Sequence, residues 1–233
     1  MQYRWVLIFA VWVLSSFQQS FAQDDDDAVY RLELGGGVGV GSMLNDCNAQ
    51  LMGNSSVAAT LIARFPLNPR MAVKTSLGFM QSKGDVAGVK QFYPAATNGA
   101  TPQTMNFAYD GSVFDLSVMY ELHFLPYGFL PTYMGYSRIV PYLQMGLGAT
   151  YSGISQRGAF NVPLGLGVKY KLARRWNLGL DWRIHFTTSD VLEGLDAPMK
   201  IKSSGFKNKD HYSQLLLTLT YDLNPKCPTC NKY

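Results

Sequence analysis

Eight stretches of this chain alternate apolar with polar or small side chains, and that period of two limits the fold more than any other feature. The clearest is 114–124, where Phe114, Leu116, Val118, Tyr120, Leu122 and Phe124 are separated by Asp115, Ser117, Met119, Glu121 and His123. The same two faces recur at 31–41, 55–65, 71–80, 139–151, 162–171, 176–186 and 214–222, divided by clusters of Gly, Pro, Asn and Asp. Helical periodicity is nowhere sustained. The glycines of LGGGVGVG at 34–41 invite comparison with a dinucleotide fingerprint, which needs glycine at i, i+2 and i+5. From Gly35 the last place falls on Val40 and from Gly37 on Ser42, so the motif is absent and the segment reads as one more strand.

Eight strands of about ten residues with one apolar and one polar face suit a closed transmembrane barrel, but a sandwich could bury the aromatic-rich face instead. Three features favour the barrel. The apolar face is continuous; Trp and Tyr gather toward segment ends, as in interfacial girdles; and short links alternate with long ones. PLNPR and ARR are short, whereas 82–111 and 187–209 are long; the link 125–138 departs from this rule, being long where a short turn is expected. The predicted fold is all-β, an eight-stranded antiparallel transmembrane barrel over 23–222. A basic position at Arg4, an apolar run over 5–14 and Ala22 predict a secretory signal peptide at 1–22, too short to span a bilayer. A Cys-containing tail occupies 223–233.

An eight-stranded barrel has an interior that side chains fill. Parity assigns to it Arg31, Glu33, Arg64, Lys74, Asp115, Glu121, Lys169, Lys171, Asp181, Arg183 and Asp222, a near balance of charges, since buried charges need partners. Glycines of the same parity, among them Gly35, Gly37, Gly39, Gly78, Gly146, Gly165 and Gly167, leave room for these long side chains. The lumen is therefore expected to be plugged and not to form a pore. His123 and His185 share the lumen parity, and His211 sits at the lip of the last strand. A lipid-modifying barrel would need a nucleophile and an orienting carboxylate beside a histidine; Ser189, Asp190 and Asp181 are the candidates near His185, and no motif joins them. A histidine paired with Asp115 or Glu121 is the simpler reading, and no catalytic residue, cofactor or metal site is expected. The lone CPTC lacks a second ligand pair. The net charge of +4 is scattered and does not form a stripe, which argues against nucleic acid.

The segments FPLNPRMAVKTSLGF, FDLSVMYELHFLPYG, PYLQMGLGATYSG, NVPLGLGVKYKLARRWNLGLDWRIHFTTSDVLEG and KNKDHYSQLLLTLTYDLNPKCPTC together resemble the PorG family of outer-membrane barrels of the type IX secretion system. The resemblance covers most of the chain beyond the signal peptide, and 83–110 matches no family pattern. It implies a structural, non-enzymatic role at the outer membrane, associated with a periplasmic ring of PorK and PorN subunits. A passive barrel with adhesive loops is the alternative, followed by a lipid-modifying enzyme.

An even strand count puts both termini on one side, predicted to be periplasmic, with external loops at 42–54, 82–111, 153–161 and 187–209. The aromatic link 125–138, with Tyr127, Tyr133 and Tyr136, and the tail with Cys227 and Cys230 then form the surface expected to meet partners; a lipid-interface belt would use the same aromatics. Cys47 falls on the opposite side of an apolar band ~25 Å tall, beyond disulfide reach of the tail. Cys227 and Cys230 are left to pair with each other or for one of them to bond a partner, and both alternatives stay open.

Overall fold

The alternation folds as its period demands. A computed structural model describes residues 30–44, 55–89, 105–129, 135–188 and 210–225, the stretches 85–89 and 105–107 as backbone only. The compact unit Tyr30–Asn224 is a closed barrel in which eight strands follow one another in chain order: β1 (Tyr30–Leu44), β2 (Ser56–Asn68), β3 (Met71–Val89), β4 (Met105–His123), β5 (Ile139–Ser152), β6 (Arg157–Lys171), β7 (Trp176–Thr187) and β8 (His211–Pro225). Each consecutive pair is antiparallel. The start of β1, the end of β8 and the links 69–70, 124–138 and 172–175 share one end of the barrel, the turn end. The opposite, loop end carries the other four connections.

The two faces are inverted relative to a soluble protein. Leu147, Val38 and Leu61 point outward at 72, 65 and 64% exposure, while Arg64, Lys74 and Arg183 are at most 2% exposed. A sandwich would bury the aliphatic face; here that face forms the outer wall, a continuous apolar surface of the kind that requires a non-aqueous surrounding. The parity read from sequence holds in every strand, with one exception at a strand end. Arg31, expected in the lumen, is exposed, because it lies in the first positions of β1 where the wall gives way to the rim.

Element lengths differ more. The strands span 12 to 19 residues, not about ten, and the described strands run from 30 to 225. Both ends of the long link 82–111, residues 82–89 and 105–111, extend the β3–β4 ladder, which pairs Ser82 with Gly111, Lys83 with Asp110 and Gly84 with Tyr109 and continues to Val89 and Met105. Lys83 and Asp110 form an exposed ion pair at 3.0 Å across it. Burial still alternates there, with Ser82, Gly84 and Tyr109 turned inward and Lys83, Ala108 and Asp110 outward; polar residues on the outward face hide the period in the sequence. The expected loop 153–161 is a tight turn. The Ser152 hydroxyl accepts the N–H groups of Ile154 and Ser155 at 3.3 and 3.5 Å, and Gln156 adopts φ +55°. At the turn end, Asn68 closes the β2–β3 link by accepting the Arg70 N–H at 2.8 Å. The signal peptide, Cys47, Tyr133, Ser189, Asp190 and residues 226–233 of the tail, with Cys227 and Cys230, lie outside the described residues.

The glycines divide into two kinds. Added Cβ atoms on Gly78 and Gly167 would meet the Asp115 carboxylate and the Tyr142 ring, so these glycines make the room inferred for them. Gly39 serves another purpose: its Cβ would strike the Leu215 carbonyl oxygen of β8. The β1 glycines let two backbones approach where the barrel closes.

Candidate functional site: the ion-paired lumen and its rims

Six buried charges of alternating sign form a chain across the half of the lumen nearer the turns. Lys169 Nζ lies 2.7 Å from Glu33 Oε2, whose other oxygen receives Arg64 Nη1 at 2.8 Å. Arg64 engages Glu121 at two points, Nε to Oε2 at 2.7 Å and Nη2 to Oε1 at 3.1 Å. Lys74 bridges Glu121 and Asp181 at 2.9 and 3.0 Å. The strands supply these residues in sequence around the wall: Glu33 pairs in register with Arg64, and Arg64 with Lys74. Thr220 donates to Glu33 at 2.5 Å, so the carboxylates are also hydrogen-bonded, as burial requires. Nearer the rim, Lys171 pairs with Asp222, which accepts from Asn177 at 2.8 Å. With Arg31 outside, the residues assigned to the lumen comprise five cations and five carboxylates, all buried; Asp210 is buried separately at the loop end.

Asp115 and Arg183, placed in the same cluster from sequence, do not join the ion-pair chain. Asp115 accepts from Ser117 at 3.1 Å, and Arg183 donates Nη1 to Ser76 at 3.1 Å. His123 sits 3.5 Å from Glu121 Oε2, one of the two partners considered for it. His185 instead stacks on Tyr212, with centroids 4.3 Å apart and planes 12° from parallel, and neither ring nitrogen has a hydrogen-bond partner among the described residues. Toward the loops the interior becomes apolar: Met43, Ala58, Met80, Tyr109, Val113, Tyr212 and Leu216 pack together. Alternation could not reveal this plug, since its members occupy the face otherwise reserved for polar groups. No group of three His, Cys, Asp or Glu arranged to hold a metal occurs among the described residues.

The link between β4 and β5 folds back on the turn end. Tyr127 N–H donates to the Pro69 carbonyl at 2.9 Å, Gly128 N–H to Ser137 at 3.2 Å and Ser137 N–H to Pro126 at 2.8 Å. Tyr127, expected to face a partner, turns into the barrel mouth instead. Its hydroxyl donates to Asn177 at 2.7 Å and its ring lies 4.2 Å from Lys169 Nζ. Burial, followed by the Glu33 and Asp222 carboxylates, raises its phenol above the usual range. Tyr136 stays at the rim beside Gly128. Nothing in the sequence marked Tyr127 as a lumen residue, because it lies in a link with no period. The arrangement thus fills the barrel from both ends: a tyrosine and ion pairs at the turns, an apolar plug at the loops.

A search of curated protein sequences returns no match. The family described as outer membrane protein beta-barrel domain matches residues 8–225. Among solved structures, the chain is similar to Neisserial surface protein A (NspA), at 12% identity over 82% of this chain and 97% of that one with a TM-score of 0.46. It is also similar to Ail, the attachment invasion locus protein of Yersinia pestis, solved with a heparin analogue, at 10% identity over 84% and 100% with a TM-score of 0.46. OprG of Pseudomonas aeruginosa matches at 11% identity over 84% and 97%, again with a TM-score of 0.46.

Proposed function

The chain belongs to the outer membrane protein beta-barrel domain family, and from that premise we propose that it is a non-enzymatic component of the type IX secretion machinery, tying a periplasmic ring of PorK/PorN type to the outer membrane. The observation that carries this reading is the contrast between a filled lumen and an elaborated turn end. The interior is occupied by paired charges, so work falls to the outer surfaces. There the described parts of the link, 124–129 and 135–138, are held by backbone hydrogen bonds to each other and to Pro69, well beyond what the two-residue turn 69–70 needs to join strands. The resemblance of its sequence segments to the PorG family supplies the identity of the partner. Both strand termini share this end, which on this reading is periplasmic.

A photo-crosslinker at Tyr136 is expected to capture a ring subunit, and replacing 125–138 by a short turn is expected to abolish secretion while leaving the barrel folded. Normal secretion after gene deletion overturns the proposal. One tail cysteine is proposed to form a disulfide with a thiol of the ring, the two protons and two electrons passing to a periplasmic disulfide oxidant: non-reducing electrophoresis should show a larger species lost on reduction and in Cys227→Ser or Cys230→Ser, and an adduct that follows Cys47 alone refutes it. The β3–β4 hairpin, extended beyond the band, favours a second reading in which the loop end adheres to an external surface; loss of adhesion on trimming 83–110, with secretion intact, would select it.

A further inference from the structure

The turn end carries a ring of arginine. Arg31 opens β1, Arg70 sits in the β2–β3 turn, Arg138 precedes β5, and Arg174 and Arg175 lie between β6 and β7. In the closed strand order these positions fall around the whole rim. Arg31, Arg70 and Arg138 are exposed and join no ion pair among the described residues. The carboxylates described in this half, Glu33, Glu121, Asp181 and Asp222, are buried and committed to lumen cations. The exposed carboxylate of Asp110 stands at the other end, beside Lys83. Inside the ring of arginine runs a belt of outward aromatics, Phe65, Tyr120, Phe124, Tyr170, Trp176 and Tyr221, with Trp176 and Tyr221 edge to face at 5.0 Å. Aromatics of this kind sit at headgroup depth. Two arginines are tied to rings that hold them at that depth: Arg138 lies 4.2 Å over Phe129 and donates Nε to its carbonyl at 3.1 Å, and Arg175 lies 5.7 Å from the Tyr30 ring.

We propose that this rim binds the phosphate headgroups of anionic phospholipids in the adjacent leaflet. The inference rests on the membrane-barrel reading and adds a lipid specificity to it. A protein partner would be met by a local patch. Cations distributed around a circle, just beyond an aromatic belt, match a planar array of anions. Guanidinium suits phosphate because its fork can donate two parallel hydrogen bonds.

The test uses the full chain folded into phosphatidylcholine vesicles containing a minority of phosphatidylglycerol, extracted in mild detergent, with retained lipid counted by native mass spectrometry. Phosphatidylglycerol should be enriched over its share of the vesicle; each of Arg31→Gln, Arg70→Gln and Arg138→Gln should lower that selectivity about fivefold, as should high salt, and the triple variant that combines them should abolish it. Arg70→Gln, in a tight turn, is also read alone so that a folding failure of the triple variant cannot obscure the result. Retention in vesicle proportion by the wild type overturns the proposal, as does enrichment that survives the triple variant. Binding of poly-glutamate without lipid enrichment overturns it too, assigning the rim to an acidic protein. Failure to insert into any vesicle refutes the membrane reading itself.

Discussion

Replacing Glu121 by glutamine removes one charge from the middle of the lumen and leaves its shape intact. In the order Lys169, Glu33, Arg64, Glu121, Lys74, Asp181 the charges sum to zero. Without Glu121 the chain divides into a neutral Lys74–Asp181 pair and a Lys169–Glu33–Arg64 group carrying one surplus positive charge. Breaking a buried pair from one side costs about 3–5 kcal/mol. Arg64 and Lys74 each keep a carboxylate, at 2.8 and 3.0 Å, so the lower end, about 3 kcal/mol, is expected. With a urea slope of ~1–3 kcal/mol/M, the unfolding midpoint should fall by ~1–3 M. Tryptophan fluorescence and heat-modifiable gel mobility of the barrel in lipid vesicles report that midpoint. A second variant tests the reasoning more sharply. Lys169→Met alone leaves a surplus negative charge, but combined with Glu121→Gln it leaves two neutral pairs, Glu33–Arg64 and Lys74–Asp181. The double variant should therefore cost less than the sum of the singles by ~1–3 kcal/mol. Additivity within about 0.5 kcal/mol would refute the idea that net neutrality of the chain, and not each contact by itself, stabilises the lumen.

Gly39→Ala drives a Cβ into the Leu215 backbone and should cost ~1–3 kcal/mol, whereas Gly158→Ala, whose Cβ would stand 3.8 Å from the Thr150 oxygen, should stay within about 0.5 kcal/mol by the same urea assay. Tyr127→Phe removes the hydrogen bond to Asn177 and should cost about 1 kcal/mol near neutrality. Because the folded phenol keeps its proton at a pH where the unfolded one releases it, stability falls as pH rises through about 10, and the phenylalanine variant should flatten that fall. Leu180→Arg, on the outer wall at 48% exposure, should cost ~2–4 kcal/mol in vesicles if it sits near mid-membrane; tolerance equal to that of an exposed turn position would refute the assignment of faces.

Eight strands, their order and the face of almost every residue were legible in the sequence, because side chains on a strand have a period of two and a barrel shows one face to lipid and the other to its own interior. Arg64, Lys74, Glu121, Lys169 and Asp181 were assigned to the lumen on parity alone and lie there. Parity ignores depth, however. Arg31 has the lumen parity but stands at the rim, and Met80, Tyr109 and Val113 share that parity yet form an apolar plug, since the half of the interior without ion pairs is filled by packing. Which cation meets which carboxylate depends on the stagger of eight strands around a closed wall: Lys74 and Asp181 are 107 positions apart. Tyr127 was out of reach for a different reason. It lies in a link with no repeating pattern, and only the hydrogen bonds that fold this link back onto Pro69 and Ser137 turn its ring into the barrel mouth.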